Sequence, residues 1–351
     1  MLISNTCICI VLFTVFNVYS QGITLASINK KSSVTLSGYG DLYLGKHWGG
    51  YNFKESFFYN HKVNNKLRTN LLLLKGEFVS RRFHATLGLM TGDYSQYNLA
   101  AEPNWAKPLN EVFIGLKLSK SKNLWWDAGV YKSFIGIESA VSSDCPTLTR
   151  SMVAENSPYY LSGSRVKYVS DNKKHELGVH VLNGWQRIGW DPSILKPSLG
   201  AHYKYHMNEN LSLMYDAFYG SIYPDSMGIN RFYQHMNVAF KRGKWETWGT
   251  LDVGIEDRNL WGAAQLMNRY TFNDHWSLAQ RLEVFYDPDN RCARIGESEK
   301  TIIGGFTLCP TYQLTDQMAI RLDTKFLKAS ENILRGANWD LQFNAGIGVR
   351  F

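Results

Sequence analysis

Proline is scarce in this chain, with 9 in 351 residues, and cysteine is scarcer still, with 5. Beyond the first twenty residues there is no long apolar run, and mean hydropathy is slightly negative. A bundle of membrane helices is therefore excluded, because each span needs ~20 mostly apolar residues. A β-barrel is not excluded, since a barrel strand shows the lipid only every second residue. Basic runs are also missing. The net charge is +8, but the lysines and arginines are scattered and no nucleic-acid motif is present, so nucleic acid is not an expected partner.

Cys7 and Cys9 fall in the N-terminal segment, which leaves Cys145, Cys292 and Cys309. An odd number supplies no disulfide framework, and the spacings match no zinc pattern, so no metal or other cofactor is implied. Cys309, near one end of an alternating segment, is expected to be a free thiol. Cys145 and Cys292 are placed in long breaks, away from Cys309, and could pair only if those breaks meet.

Residues 1–20, MLISNTCICIVLFTVFNVYS, carry no charged side chain and hold an apolar stretch around Ile8–Val18. Val18 and Ser20 are small enough for the −3 and −1 positions of a signal-peptidase site, so the mature chain is expected to begin at Gln21. The n-region lacks Lys and Arg, and an uncleaved anchor helix is the alternative. The domain reading is a signal peptide at 1–20, a short periplasmic segment at 21–32 and one barrel at 33–351.

Aromatic residues make up 14% of the chain and glycine is plentiful, with 29. From about residue 33 a single unit repeats, an alternating segment of roughly ten residues followed by a break, as barrel strands require. In the first, Val34, Leu36, Leu42 and Leu44 share one face, and Thr35, Ser37, Tyr39, Asp41 and Tyr43 the other. In the last, Trp339, Leu341, Phe343, Ala345, Ile347, Val349 and Phe351 oppose Asp340, Gln342, Asn344 and Arg350. Period two with one apolar face is the strand signal. Fourteen more strands are expected near 69–79, 82–91, 110–118, 124–132, 160–169, 175–183, 198–206, 211–220, 231–241, 245–256, 263–272, 276–286, 301–312 and 318–327. The run Leu71–Leu74 breaks the alternation and leaves its register weakly specified.

Two features favour a membrane barrel over a soluble β-sandwich. No Asp, Glu, Lys or Arg falls on the more apolar face of any strand. A charge at the bilayer midplane of a barrel costs ~2–4 kcal/mol, so lipid enforces this segregation. The breaks also alternate, short after even strands and mostly long after odd ones, which is the short-periplasmic, long-extracellular rhythm of an outer-membrane barrel. Tyr168, Tyr205, Phe240, Trp245, Phe272, Trp276, Tyr312 and Phe351 sit outward beside the short turns, where an interfacial aromatic layer belongs. The fold class is all-β, a transmembrane antiparallel up-and-down barrel of about sixteen strands in the outer membrane. Its expected surroundings are outer-membrane lipid and lipopolysaccharide, with the barrel-assembly machinery during insertion, and a homo-oligomer is compatible with it.

Several segments resemble a known family. LNGWQRI stands at Leu182–Ile188. Upstream lies PLNEVFIGLKLSKSKNLWWDAGVYKSFIGIESAVSSDCPTLTRSMVAENSPYY, residues 108–160, preceded by NLLLLKGEF and NLAAEP. In this order they resemble the OmpL-like β-barrel porins of the porin-2 type. The resemblance implies an outer-membrane barrel and a porin, and a sixteen-stranded barrel with an aqueous interior is expected to pass small hydrophilic solutes or ions passively.

The longest break in the middle of the chain, 133–159, carries Glu138, Asp144, Arg150 and Glu155. Folded inward, it would narrow the channel together with Arg165 and Lys167 on the following strand, since rings of charge are how pores select ions. The alternative is a surface loop over the rim. The inner faces hold eleven basic residues (Lys75, Lys117, Arg165, Lys167, Lys204, Arg231, Arg269, Arg281, Arg321, Lys325, Arg350). They hold twelve acidic ones (Asp41, Glu77, Glu111, Asp127, Glu176, Asp216, Glu246, Asp252, Glu256, Glu283, Asp323, Asp340), so the lumen is near neutral by formal count. Arg281/Glu283 and Arg321/Asp323 are expected to brace the wall. His84, His180, His202 and His235 face inward, yet no nucleophile motif surrounds them, so an enzyme is not expected. A structural or adhesin-type barrel with a blocked lumen is the remaining alternative.

Overall fold

The computed structural model describes residues 23–29, 32–295 and 300–351. The expected signal peptide and its cleavage site lie outside the described residues. A short strand, β1 (Ile23–Asn29), precedes sixteen longer ones. These are β2 (Ser32–His47), β3 (Leu67–Ser80), β4 (Phe83–Thr91), β5 (Leu109–Lys117), β6 (Asn123–Lys132) and β7 (Tyr160–Val169). Then follow β8 (His175–Leu182), β9 (Ser198–His206), β10 (Leu211–Gly220), β11 (Arg231–Arg242) and β12 (Trp245–Glu256). The last five are β13 (Asn259–Thr271), β14 (Trp276–Asp287), β15 (Thr301–Thr315), β16 (Met318–Ala329) and β17 (Trp339–Arg350). Each pairs antiparallel with the next, and β17 pairs with β2 from Gln342↔His47 to Arg350↔Tyr39, which closes the barrel. The segment read as a periplasmic extension thus holds a strand of its own. β1 pairs with Ser32–Leu36, on the part of β2 that β17 does not reach.

Alternation sets the two faces. Along β2, Asp41, Tyr43 and Gly45 are buried, while Leu42 and Leu44 are exposed on the outside. Val179, Leu282 and Leu322 each keep about half or more of their surface on that same outer face, as lipid contact requires. No helix among the described residues is long and apolar enough to cross a membrane. At the short-turn end, Trp245 packs on Tyr270 and Trp276 on Tyr312, with ring centroids 4.6 and 4.8 Å apart. These rings form part of the interfacial layer.

Two departures from the strand reading have local causes. Asp41 faces Leu71 while Leu42 faces Thr69, so Asn70 is an extra residue, a β-bulge. The bulge turns both Asn70 and Leu71 inward, with Leu72 and Leu74 left outside. That is why Leu71–Leu74 does not alternate. The expected long break at 257–262 is instead a two-residue turn, Asp257–Arg258, with φ of 48° and 69°. Two positive φ values match the twist of the flanking strands and give a tight hairpin.

Candidate pore constriction

The segment 133–159 leaves β6 and returns to β7 with Ser133 N–H donating to Tyr159 O at 3.0 Å. Between those points it does not stay outside. Phe134 stacks on His180 of β8, centroids 4.0 Å apart, and Gly136 N–H donates to Asp216 of β10 at 3.2 Å. The chain then runs to the far wall. Ser142 Oγ donates to Asp41 of β2 at 2.6 Å. Leu148 packs against Ala279 of β14 and Cys309 of β15. β15 stands eight strands from β7 in a closed ring of sixteen, so the loop crosses the lumen.

The far wall holds this loop by its backbone. Arg321 donates to the carbonyls of Ser142 (2.6 Å) and Cys145 (2.9 Å). Arg281 donates to Thr147 Oγ1 (2.7 Å) and to the carbonyls of Thr149 (2.9 Å) and Arg150 (3.0 Å). Lys325 Nζ donates to Arg150 O at 2.7 Å. Asp323 accepts from Thr149 N–H and Oγ1, and Glu283 accepts from Met152 N–H at 2.6 Å. Each such charge-assisted bond contributes about 1.5–3 kcal/mol. Together they fix a segment that has little regular structure, a 3-10 turn at Ser142–Asp144 and one short α-helix at Met152–Glu155 capped by Ser151. Arg281 and Glu283 do pair, at 3.0 Å. Arg321 and Asp323 depart from the bracing expectation: both serve the loop rather than one another.

The candidate charges have distinct placements. Glu138 is buried and accepts from Ser151 N–H at 3.1 Å, with Arg281 3.6 Å away. Arg150 is fully buried, and its guanidinium donates to the loop's own carbonyls at Ser139, Ala140 and Leu148. It is thus a scaffold of the loop. Glu155 accepts from Tyr59 N–H at 2.8 Å and from Asn60 N–H, tying this loop to the one before β3. Asp144 is half exposed and 3.5 Å from Arg350. Arg165 remains on β7, paired with Asp127 at 2.7 Å and lying 4.2 Å over the Tyr131 ring. Lys167 stays on β7 as well, half-buried and without an ion pair among the described residues. The fold does not gather the six into one ring: Arg150 and Arg165 sit on opposite walls.

A second inserted segment, residues 48–66, was not anticipated. Lys54 Nζ donates to Asn344 at 2.8 Å, and His61 Nε2 meets Asp41 at 3.0 Å. Phe57 and Phe58 pack with Met152, Val153, Phe285 and Ile303. Burial, reinforced by the Lys325 ammonium, pushes Lys54 down to about 7, and burial pushes its neighbour Glu55 up to about 7. The apolar and aromatic residues of this break, Trp48, Phe53, Phe57, Phe58 and Val63, were the available signal. Cys145 is another correction: the inward fold carries it down to Arg321, not out across the membrane. Cys145, Cys292 and Cys309 are all free thiols.

Two cavities flank the crossing segment. One of about 510 Å³, toward the short turns, is lined by Asp41, Ser142, Leu148, Arg269, Arg321 and Arg350. The other, about 440 Å³, opens toward the long loops beside Glu102, Glu155, Trp185, Arg231 and Arg294.

Ion pairing sorts the inner-wall charges unevenly. Every acidic residue counted there is engaged. Asp127, Glu246, Glu256 and Glu283 pair with arginines, and Lys75 takes both Glu77 and Glu111. Asp41, Glu176, Asp252 and Asp340 meet histidines. Asp216 and Asp323 accept from the crossing segment. Among the basic residues, Lys117, Lys167 and Lys204 have neither ion pair nor hydrogen bond among the described residues.

Comparison with known proteins agrees with this architecture. Residues 33–350 match the family described as "Putative beta-barrel porin-2, OmpL-like". A search of curated protein sequences finds no match. Among solved structures, OmpF of Salmonella typhi superposes with a TM-score of 0.66 at 10% identity, covering 92% of this chain and 98% of that one. The outer-membrane channel DcaP of Acinetobacter baumannii gives 0.63 at 10% identity, covering 94% and 100%. An anion-selective porin from Comamonas acidovorans gives 0.58 at 13%, covering 92% and 100%. At such identities the likeness is one of fold. The family match spans nearly the whole barrel, and the chain belongs to the OmpL-like porin-2 family of outer-membrane β-barrel porins.

Proposed function

We propose that this porin passes ions and small hydrophilic solutes passively and that residues 133–159 set its narrowest cross-section. A sixteen-stranded barrel leaves an aqueous channel unless its interior is filled. The observation that carries the reading is the clamping of this segment's backbone by Arg281, Arg321, Lys325, Asp323 and Glu283, on the wall opposite its origin. A loop so held excludes large solutes and stays in place under flow. Glu138, Arg150 and Glu155 act by fixing the loop. Asp144, Arg165 and Lys167 are the candidate charges at the passage. Lipid and lipopolysaccharide on the outer face, the barrel-assembly machinery and a homo-oligomer belong to the same reading.

The test is single-channel conductance in planar bilayers, comparing wild type with a deletion of residues 137–150. The deletion should raise conductance several-fold and admit larger neutral solutes. An unchanged conductance would place the constriction elsewhere, and a wild type that never conducts would favour a structural barrel.

A further inference from the structure

Formal charge counting makes this lumen near neutral, but an ion pair attracts a passing solute far less than a bare charge. What a solute meets first is the set of charges exposed to it. We propose that the lumen prefers anions, and that Lys117, Lys167 and Lys204 determine that preference. The inference rests on the porin reading and adds the charge class of the solute.

Three observations converge. First, the two signs differ in exposure: Asp41, Asp127, Asp216, Asp252, Glu256, Glu283, Asp323 and Asp340 are buried with their partners, whereas these three ammonium groups are half-buried and make no ion pair or hydrogen bond among the described residues. Secondly, they are grouped. They lie on β5, β7 and β9, at or within two residues of each strand's end beside a short turn. Lys117 and Lys167 both stand opposite Trp125, and Lys204 stands opposite Glu176 on β8. Alternate strands are about 10 Å apart, so the three form a stripe along one wall. Thirdly, the stripe is accessible, because all three are half-buried and stand away from the wall that clamps the crossing loop.

Glu176, beside Lys167 and Lys204, offsets only part of the stripe. Glu176 is engaged by His202 Nε2 at 3.5 Å, and Asp127 by Arg165 and His84. Lysine suits this role better than arginine. Its compact ammonium on a flexible stem follows a hydrated anion without fixed geometry. In a confined passage the stripe is screened less than on an open surface, where ~0.15 M salt screens charges within about 8 Å.

The experiment measures reversal potential across planar bilayers in a potassium chloride gradient. Wild type should favour chloride. The triple variant Lys117→Gln, Lys167→Gln, Lys204→Gln should lower the chloride-to-potassium permeability ratio by about fivefold, the effect of one charge acting at ~4 Å in a water-like medium. Its conductance in high salt should stay near wild type, which shows that the barrel is folded and open. Lys173→Gln, an exposed turn lysine, should leave the ratio unchanged. A cation-preferring wild type, or a triple variant with the wild-type ratio, overturns the proposal while leaving the porin reading intact. A wild type that does not conduct at all overturns both.

Discussion

Two walls of this barrel carry similar numbers of charges and use them differently. On β14 and β16, Arg281, Glu283, Arg321, Asp323 and Lys325 are nearly or fully buried and bonded to the backbone of the crossing segment. On β5, β7 and β9, Lys117, Lys167 and Lys204 remain half-exposed and unpaired. The first wall converts charge into position and the second leaves charge available to the solute. A lumenal charge therefore has no fixed role, and its partners decide which role it takes.

The largest expected effect comes from breaking the clamp. Arg281→Ala removes donors to Thr147, Thr149 and Arg150 and strands the buried carboxylates of Glu138 and Glu283. Leaving buried charges uncompensated costs about 3–5 kcal/mol. Single-channel conductance should approach that of the 137–150 deletion. Arg281→Lys should rescue poorly, because an ammonium cannot reproduce the planar fork. Wild-type conductance in Arg281→Ala would mean that the two walls are equivalent.

Thiol labelling sharpens the same contrast. Cys309 is fully buried under Leu148 on the clamped side. A small maleimide should leave it unmodified in the native barrel. Deleting residues 137–150 should expose it and raise labelling at least several-fold, read by mass spectrometry. Labelling of Cys309 in wild type at the same rate as in the deletion would show that the loop does not cover it.

A smaller effect follows from pH at the other inserted segment. Lys54 is held down at about 7 against an ordinary 10.5, so its charged form is disfavoured where it is buried. The folded state then binds fewer protons than the open one between about 7 and 10.5, and docking of residues 48–66 should tighten as pH rises through that window. Glu55, pushed up to about 7 from 4.5, acts oppositely, loosening docking as pH rises from about 4.5 to 7. Limited proteolysis within 48–66 should therefore slow from pH 7 to 10, and Lys54→Met should flatten that part of the profile. A flat wild-type profile would mean that Lys54 reaches water.

The least perturbing change is Asn70→Ala. Asn70 accepts from His61 N–H at 2.8 Å and donates to Asp41 at 3.3 Å, so it couples the bulge to the inserted loop. A loss of about 1 kcal/mol of local stability is expected, seen as faster proteolysis of residues 48–66 with selectivity unchanged. Altered selectivity would indicate that Asp41 faces the passage.

The strands were legible in the sequence because their cause is local. Lipid on one side and water or polar side chains on the other impose a period of two, and a twelve-residue segment such as Trp339–Arg350 carries that pattern by itself. The sequence alone therefore determined the fold class, the sixteen crossing strands, the inward set of charges and the rhythm of turns. It could not determine which charges are spent. Arg281 meets Thr149 across 132 positions and Glu155 meets Tyr59 across 96. Nothing in either neighbourhood encodes the partner, so Arg150 reads like any loop arginine and Lys54 like any exposed lysine. Only closure of the barrel brings those groups within hydrogen-bond reach. Pairing energies fall off within a few ångströms, so the tertiary structure decided which charges fix the loop and which stay free for the solute.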